Sequence, residues 1–307
     1  DWNDTSEGNY WDHYTGADGD KDGIGNSSYV IGIAGNTDDK PIMNYVRNTD
    51  TREIFVKIQD AIDDGDTDAN DTITVGEGTY YENLDINKTV KIIGDGALTT
   101  IIDGDGNSDY VVDISANYVE IRGVNVTNGS STSNSGIYLN SVSNCIVQHS
   151  NIRANHYGIW LSYSDNNNIS WCNVTKNNDI GIIFSNADGN NIWKNLVKLN
   201  TGRGVSITGD DNVVTYNNFT ENTLHGVLIG FGSSGNEIHH NDFDRNHNND
   251  NDQAWDANNP YDNLWNETDN GIGNYWSDWD QSGDYDIAGD GSNKDENPIA
   301  TPQRPRS

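Results

Sequence analysis

One period constrains this chain more than any other feature. A glycine followed by alternating apolar residues recurs at Gly136-Ile137-Tyr138-Leu139, Gly158-Ile159-Trp160-Leu161, Gly181-Ile182-Ile183-Phe184, Gly204-Val205-Ser206-Ile207 and Gly226-Val227-Leu228-Ile229, in steps of 22, 23, 23 and 22 residues. Two more apolar columns keep the period: Ile146, Ile169, Ile192, Val214, Ile238, and Ile152, Val174, Val197, Phe219, Phe243. Each run is too short for a helix and alternates with period 2, so the columns read as strands. Three short strands per repeat predict a solenoid with coils about 4.8 Å apart. Ile137, Ile159 and Ile182 should face inward, Tyr138 and Trp160 outward.

Composition makes sense only against that period. The 307 residues carry 17 Lys+Arg against 48 Asp+Glu, a net charge of −31, and only 33% are hydrophobic. Such a balance excludes a nucleic-acid binder that works by neutralising phosphates and disfavours docking on anionic membranes. No apolar run is long enough to span a bilayer, no signal peptide is evident, and Asp1 reads as the start of a mature or excised piece. The 47 Asn find a place in the coils. Asn195, Asn217 and Asn241 share one column, and turns near Asn144, Asn167, Asn190, Asn212 and Asn236 share another. Asn tolerates left-handed backbone, and stacked amides can form ladders. Cys145 and Cys172 give neither zinc spacing nor a disulfide framework. The coil register places Cys172 above Ser150, about 16 Å along the strand from Cys145 and too far for a bond.

Upstream, strand-like alternation continues at Ile73/Val75, Leu84/Ile86, Val90/Ile92, Val112/Ile114, Val119/Ile121 and Val124/Val126. Before it, Asp50-Thr51-Arg52-Glu53 reads as a capping box, with Ile54, Ile58, Ala61 and Ile62 on one helical face and Gly65 as the stop. The pattern predicts a helix over 51–65 that covers the open end of the first coil. The stretches Ile58-Gln59-Asp60-Ala61-Ile62, Ile73-Thr74-Val75 and Gly78-Thr79-Tyr80-Tyr81-Glu82-Asn83 resemble the opening of right-handed parallel β-helix proteins of the pectate-lyase superfamily. More narrowly, they resemble the NosD-like, carbohydrate-binding/sugar-hydrolase branch common among archaeal surface proteins. The resemblance covers about residues 51–250 and implies an all-β, right-handed coil, but little about activity, because that branch mixes enzymes with non-catalytic surface proteins. The expected divisions are a joint over 1–50, the capping helix over 51–65, the β-helix over 66–250, and a second joint over 251–307.

The two ends repeat each other. Trp2-Asn3-Asp4-Thr5 matches Trp265-Asn266-Glu267-Thr268, Gly8-Asn9-Tyr10-Trp11 matches Gly273-Asn274-Tyr275-Trp276, and Asp39-Lys40-Pro41-Ile42 matches Glu296-Asn297-Pro298-Ile299. Either the chain is cut from a longer tandem array, or its ends are built to meet neighbours. The second reading makes Trp2, Tyr10, Trp11, Tyr14, Trp265, Tyr275, Trp276 and Trp279 contact residues of a head-to-tail homopolymer. In the first joint Asp18, Asp20 and Asp22 alternate ahead of Gly23, the carboxylate spacing of a calcium loop, although Tyr29 stands where a twelfth-position Glu would close it. Asp284, Asp286 and Asp290 are a looser version in the second joint. Asn-x-Ser/Thr sequons begin at Asn3, Asn26, Asn70, Asn87, Asn125, Asn128, Asn168, Asn173, Asn218 and Asn266; used, they imply a glycosylated, exported surface.

Catalytic patterns are thin. Asp165, Asp188 and Asp211 align, and Asp210-Asp211 is similar to the paired aspartates of polygalacturonase-like hydrolases, yet that family's Gly-His-Gly and Arg-x-Lys companions are missing and Asp is an ordinary turn residue. Arg153 and Arg203 are isolated candidates for lyase chemistry. His239-His240 with His247 offers a metal reading against an ordinary solvated one. The combined expectation is a non-enzymatic, calcium-stabilised structural subunit at the cell surface, polymerising into a layer or filament. The alternative is a carbohydrate-active enzyme or polysaccharide-binding module of the same fold.

Overall fold

The computed structural model describes residues 16, 19–31, 36–39, 42–106, 109–129, 134–249, 252–258, 262–267, 271–289 and 293–303. Three parallel sheets run the length of a β-helix of about eight turns. One middle coil shows the plan: Tyr157–Ser162 lies in the first sheet, Asn168–Ser170 in the second and Asn173–Thr175 in the third. Each strand pairs with its equivalent one coil away, so Ile137, Ile159 and Ile182 stack in one row, as do Ile152, Val174 and Val197 in another. All of these are fully buried. The second column departs from expectation at one place. Val147, not Ile146, stands opposite Ile169, because this step is 22 residues rather than 23; Ile146 points outward and is 36% exposed. The glycine heading each first-sheet strand is there for close approach: a Cβ on Gly158 would sit 2.3 Å from the carbonyl oxygen of Gly181.

The corners of the coil explain the asparagines. At each of three corners a residue in left-handed backbone is followed by an inward-facing Asn. Examples are Asn166-Asn167, Lys194-Asn195 and Leu199-Asn200, whose first members have φ of 57°, 56° and 57°. The buried Asn side chains form three ladders. Asn167, Asn190, Asn212, Asn236 and Asn263 make the first, Asn195, Asn217, Asn241 and Asn274 the second, and Asn155, Asn177, Asn200, Asn222 and Asn246 the third. Within a ladder Asn200 is typical. Its Oδ1 accepts from the backbone N–H and the Nδ2 of Asn177, and its Nδ2 donates to Asn222 Oδ1 and to the Val174 carbonyl. Both donors and both lone pairs are used, so the amide is buried without an orphan. The third ladder lies outside the two Asn columns of the sequence pattern, and Asn144 is not in the first: it holds the left-handed corner at φ 61°, while Cys145 takes the inward position and donates its N–H to Asn167. Cys172 does the same beneath Asn195. Both cysteines are free and buried, with Asn173 paired to Asn151 so that Cys172 stands over Ser150. Burial pushes the Cys172 thiol up to about 12, so neither partner nor reactivity is provided for it.

The N-terminal end is closed differently from the sequence pattern. Residues 46–55 form an antiparallel hairpin, Val46–Asn48 against Ile54–Phe55, whose first strand also pairs antiparallel with Thr72–Val75. The antiparallel strand blunts the edge of the second sheet. Helix starts only at Ile58 and ends at Asp63. The proposed capping box is instead a turn: Asn48 Oδ1 accepts from the N–H groups of Asp50 and Thr51, Arg52 is left-handed, and Ile54 is 55% exposed. The helix is capped from a distance, Glu82 accepting both free N–H groups of Ile58 and Gln59 at 2.9 Å. Ile58, Ala61 and Ile62 close the core beneath it. At the other end the solenoid does not stop near 250. Ala254–Asp256, Tyr275–Trp276 and Ala288–Gly289 add parallel strands to the first and third sheets.

Asn200→Ala should therefore remove four buried hydrogen bonds, leave the Asn177 N–H without its acceptor and destabilise the chain by about 3 kcal/mol, against less than about 0.5 for the exposed Asn178→Ala. Denaturant midpoints of the two variants test this; equal midpoints would refute a stabilising ladder.

Candidate functional site

Every ladder has a direction. Each amide donates toward the C-terminal end, so the last one needs an acceptor that passes no donor onward. Asn263 donates to both oxygens of Asp256 (3.3 and 3.2 Å), and Asn274 donates its N–H to Asp295 at 2.7 Å. Asn246 donates to Gln253, whose amide in turn donates to Asp278 Oδ1 at 2.6 Å. All three ladders thus finish on carboxylates in the C-terminal joint.

Aromatic rings build the same cap. Trp276 is stacked between Phe243 (4.2 Å) and Tyr285 (4.1 Å), and Trp265 packs beside it. The indole N–H groups donate to Asp256 and Asp295. Trp265 and Trp276 are 1% and 2% exposed, which corrects their assignment as contact residues: they are the plug of this chain's own last coil. Tyr275 and Trp279 stay half-buried. The joints share a hairpin as well as a sequence. Tyr29–Ile31 pairs with Asn36–Asp38, setting Tyr29 opposite Asp38, and Tyr285–Asp286 pairs with Lys294–Asp295, setting Tyr285 opposite Asp295. Trp2, Tyr10, Trp11 and Tyr14 lie outside the described residues.

Of the calcium loop, Asp18 lies outside the described residues; Asp20 and Asp22 are exposed. Asn26 ties the loop, donating to Asp20 and accepting from the Gly19 N–H, and Lys21 reaches across to pair with Asp105 and to cover the Tyr81 ring. In the second joint Lys294 stands 3.5 Å from Asp284 and 3.6 Å from Asp286; Asp290 lies outside the described residues.

On the flanks the aligned aspartates turn out to be turn acceptors. Asp165 accepts the N–H of Asp188, Asp188 that of Asp210, and Asp210 that of Ser234. Asp210 rather than Asp211 continues the row; Asp211 holds a left-handed corner at φ 56°. Tyr138 and Trp160 do face outward, joined by Tyr110 in a half-buried aromatic cluster. Beneath it Asp113 stands opposite Asp85, and burial, with Asp85 and Asp109 beside it, pushes its carboxyl up to about 6. A longer strip lies along one corner: His149 stacks on Trp171, Lys194 covers Trp171 and Trp193, and Tyr216 stacks on His240. Arg153 donates to Asn125 in a groove of about 390 Å³ shared with Lys198. His239 and His240 face each other with ring nitrogens 2.7 Å apart, but His247 is not with them. It stacks instead on His225, beside Asp252. The 22-residue spacing of His225 and His247 is one coil step, the signal that would have found the pair. Among the sequons, Asn26, Asn70, Asn87, Asn128 and Asn173 are exposed, Asn168, Asn218 and Asn266 half-buried, and Asn125 is buried in a strand; Asn3 lies outside the described residues.

These features define a capped parallel β-helix with a polar, acidic exterior and no helix, among the described residues, long and apolar enough to cross a membrane. The chain belongs to the family of periplasmic copper-binding proteins (NosD), which matches residues 60–281. A cell surface glycoprotein of Methanothermus fervidus is 30% identical over 174 residues, 48% of this chain. The match takes in 28% of that glycoprotein, so the chain spans little more than a quarter of its relative. Among solved structures, a mannuronan C-5 epimerase A-module of Azotobacter vinelandii aligns at a TM-score of 0.41 and 16% identity, over 65% of this chain and 76% of the module. A pectin methylesterase in complex with a hexasaccharide aligns at 0.44 and 14% identity, over 63% and 68%.

Two outcomes follow. Native glycan mapping by mass spectrometry should find sugar at the exposed sequons and none at Asn125, whose side chain is 3% exposed; a glycosylated Asn125 would contradict the strand assignment. Burial pushes the Asp295 carboxyl up to about 6, against the hydrogen bonds it accepts. A raised acid binds its proton more tightly in the folded state, so its stabilisation is complete below the ordinary Asp range and is lost as pH rises through 6. The effect is on the order of 3 kcal/mol. Melting curves between pH 4 and 7 should show that slope in the native chain and a flatter one in Asp295→Asn.

Proposed function

We propose that this chain is a non-catalytic structural unit of a cell-surface coat, in which β-helices are laid end to end and the joint sequence is the connector. One observation carries the reading. The C-terminal joint closes the solenoid it follows with Trp265, Asn274 and Trp276, and the N-terminal joint carries the same residues, Trp2, Asn9 and Trp11, ahead of a solenoid whose parallel strands begin at Thr72. A joint of this kind ends one β-helix and starts the next. The glycoprotein relative and the exposed sequons support a place outside the cell. Calcium at Asp18, Asp20 and Asp22 would neutralise three carboxylates in a chain of charge −31 and fix the joint's geometry.

The test removes one cap. Deleting residues 257–307 uncovers the last coil, and the first joint of another copy is then free to take its place. The shortened chain should form open head-to-tail chains in electron micrographs, and Trp11→Ala should disperse them. Amorphous aggregates, or chains indifferent to Trp11, would overturn the reading. The corner strip from His149 to His240 favours a second reading, adhesion to a polysaccharide by ring stacking; co-sedimentation with cell-wall polysaccharide, abolished by Trp171→Ala, would support it.

The family's name carries copper, and among the described residues His225, His247 and Asp252 fit a divalent ion of that type. With one Met and two buried Cys in the whole sequence, the donors available to it are imidazole and carboxylate, the set suited to the oxidised ion.

A further inference from the structure

The regular coils end at a crossover where three passes of the chain meet. His225 lies in the corner before Val227–Ile229, His247 in the 3-10 turn Asn246–Asn249, and Asp252 on the segment returning to Ala254–Asp256. Their ligand atoms all lie within 4.8 Å of one another. Asp252 Oδ2 is 3.4 Å from His225 Nε2 and 3.4 Å from His247 Nδ1. Neither approach has hydrogen-bond geometry, and both nitrogens of His225, Nδ1 of His247 and Oδ1 of Asp252 are buried without a hydrogen-bond partner among the described residues. Four unpaired polar atoms at one spot cost more than a folded chain ordinarily tolerates. The spacing itself is informative. Ligands about 2.0–2.1 Å from a tetrahedral ion stand about 3.4 Å apart, which is the separation found on both carboxylate edges.

The donors are also held in place by backbone rather than by each other. The His247 N–H is shared between the carbonyls of Asn222 and Leu224, and the Gly226 N–H, next to His225, donates to the Gln253 carbonyl, next to Asp252. Gln253 is itself locked as the acceptor that ends the third Asn ladder. Trp255 lies against His225 at 5.8 Å and walls one side. Such preorganisation is what a metal site needs and what a chance ion pair lacks.

We infer that His225, His247 and Asp252 bind one borderline divalent transition-metal ion, of the Cu²⁺ or Zn²⁺ type, as a clamp joining the last regular coil to the loop that enters the C-terminal cap. Two imidazoles and one carboxylate leave a coordination position for water, and they select such ions over Ca²⁺, which takes six to eight oxygens. The clamp is independent of end-to-end assembly.

The full chain is titrated with CuCl₂, and separately with ZnCl₂, in excess CaCl₂ so that the acidic surface is occupied by a hard ion. One Cu²⁺ per chain should bind, its electron paramagnetic resonance spectrum should carry hyperfine structure from two imidazole nitrogens, and Zn²⁺ should raise the melting temperature. His247→Ala, at a partly exposed side chain, should reduce the spectrum to one nitrogen and weaken binding at least about tenfold; Asp252→Asn should weaken binding to a similar degree while keeping both nitrogens. The double change His239→Ala/His240→Ala should alter nothing. Binding that is unchanged in His247→Ala and Asp252→Asn, that is lost with the His239–His240 pair, or that is many-sited and abolished by calcium overturns the site.

Discussion

The structure rests on the amide ladder. A solenoid of short strands must turn three times per coil, and each turn puts a left-handed residue next to a peptide group facing the core. Left-handed backbone disfavours most residues by about 1–2 kcal/mol, yet Lys176, Lys194, Leu199 and Tyr216, each followed by a buried Asn, all adopt it here. The buried Asn that follows each corner makes this tolerable. Its side chain satisfies the backbone N–H of the coil before and the carbonyl two coils away from its own acceptor, and its stacking repeats without interruption. Apolar columns fill the interior, but they would fill a helix bundle equally well. The ladders fix the pitch, the register and the positions of the corners.

Because the ladders are polar, the two ends of the molecule are chemically unlike. The first rung asks only for a backbone N–H, which Cys145, Cys172 and Gly129 provide without special residues. The last rung asks for an acceptor in a dry place, and burying an acceptor means burying a charge. The cap answers with indole N–H groups and flat rings around Asp256 and Asp295. That is why the aromatic residues of the joint are buried rather than offered to a neighbour; burial, working against the hydrogen bonds it accepts, pushes the carboxyl of Asp295 upward.

Much of this was legible in the sequence, because a repeat writes each contact several times. Two columns of core residues, the Asn excess, the unpaired cysteines and the turn role of the aspartates all follow from one period. What escaped lies where the repeat is broken or where partners are far apart in sequence. Glu82 caps a helix 24 residues behind it, and nothing local announces that. Asp50-Thr51-Arg52-Glu53 has the composition of a helix start, but the open edge of the Thr72–Val75 strand claims the chain first. Trp265 and Trp276 read as sticky surface because an aromatic residue carries no mark of which molecule will cover it. His225 and His247 stand one coil step apart in sequence, but nothing local sets them above the adjacent His239-His240 pair.

The carboxylate stop also bears on how such a protein lengthens. Inserting or removing a whole coil between Asn167 and Asn241 leaves every ladder with the same first donor and the same last acceptor, since each rung presents identical groups above and below. Duplication of interior coils is therefore chemically silent, and extension past the cap is not: it would require Asp256 and Asp295 to become amides together. Length in this lineage can drift by units of one coil while the termini stay constant, which makes the span of the molecule an evolvable ruler with fixed fittings at both ends.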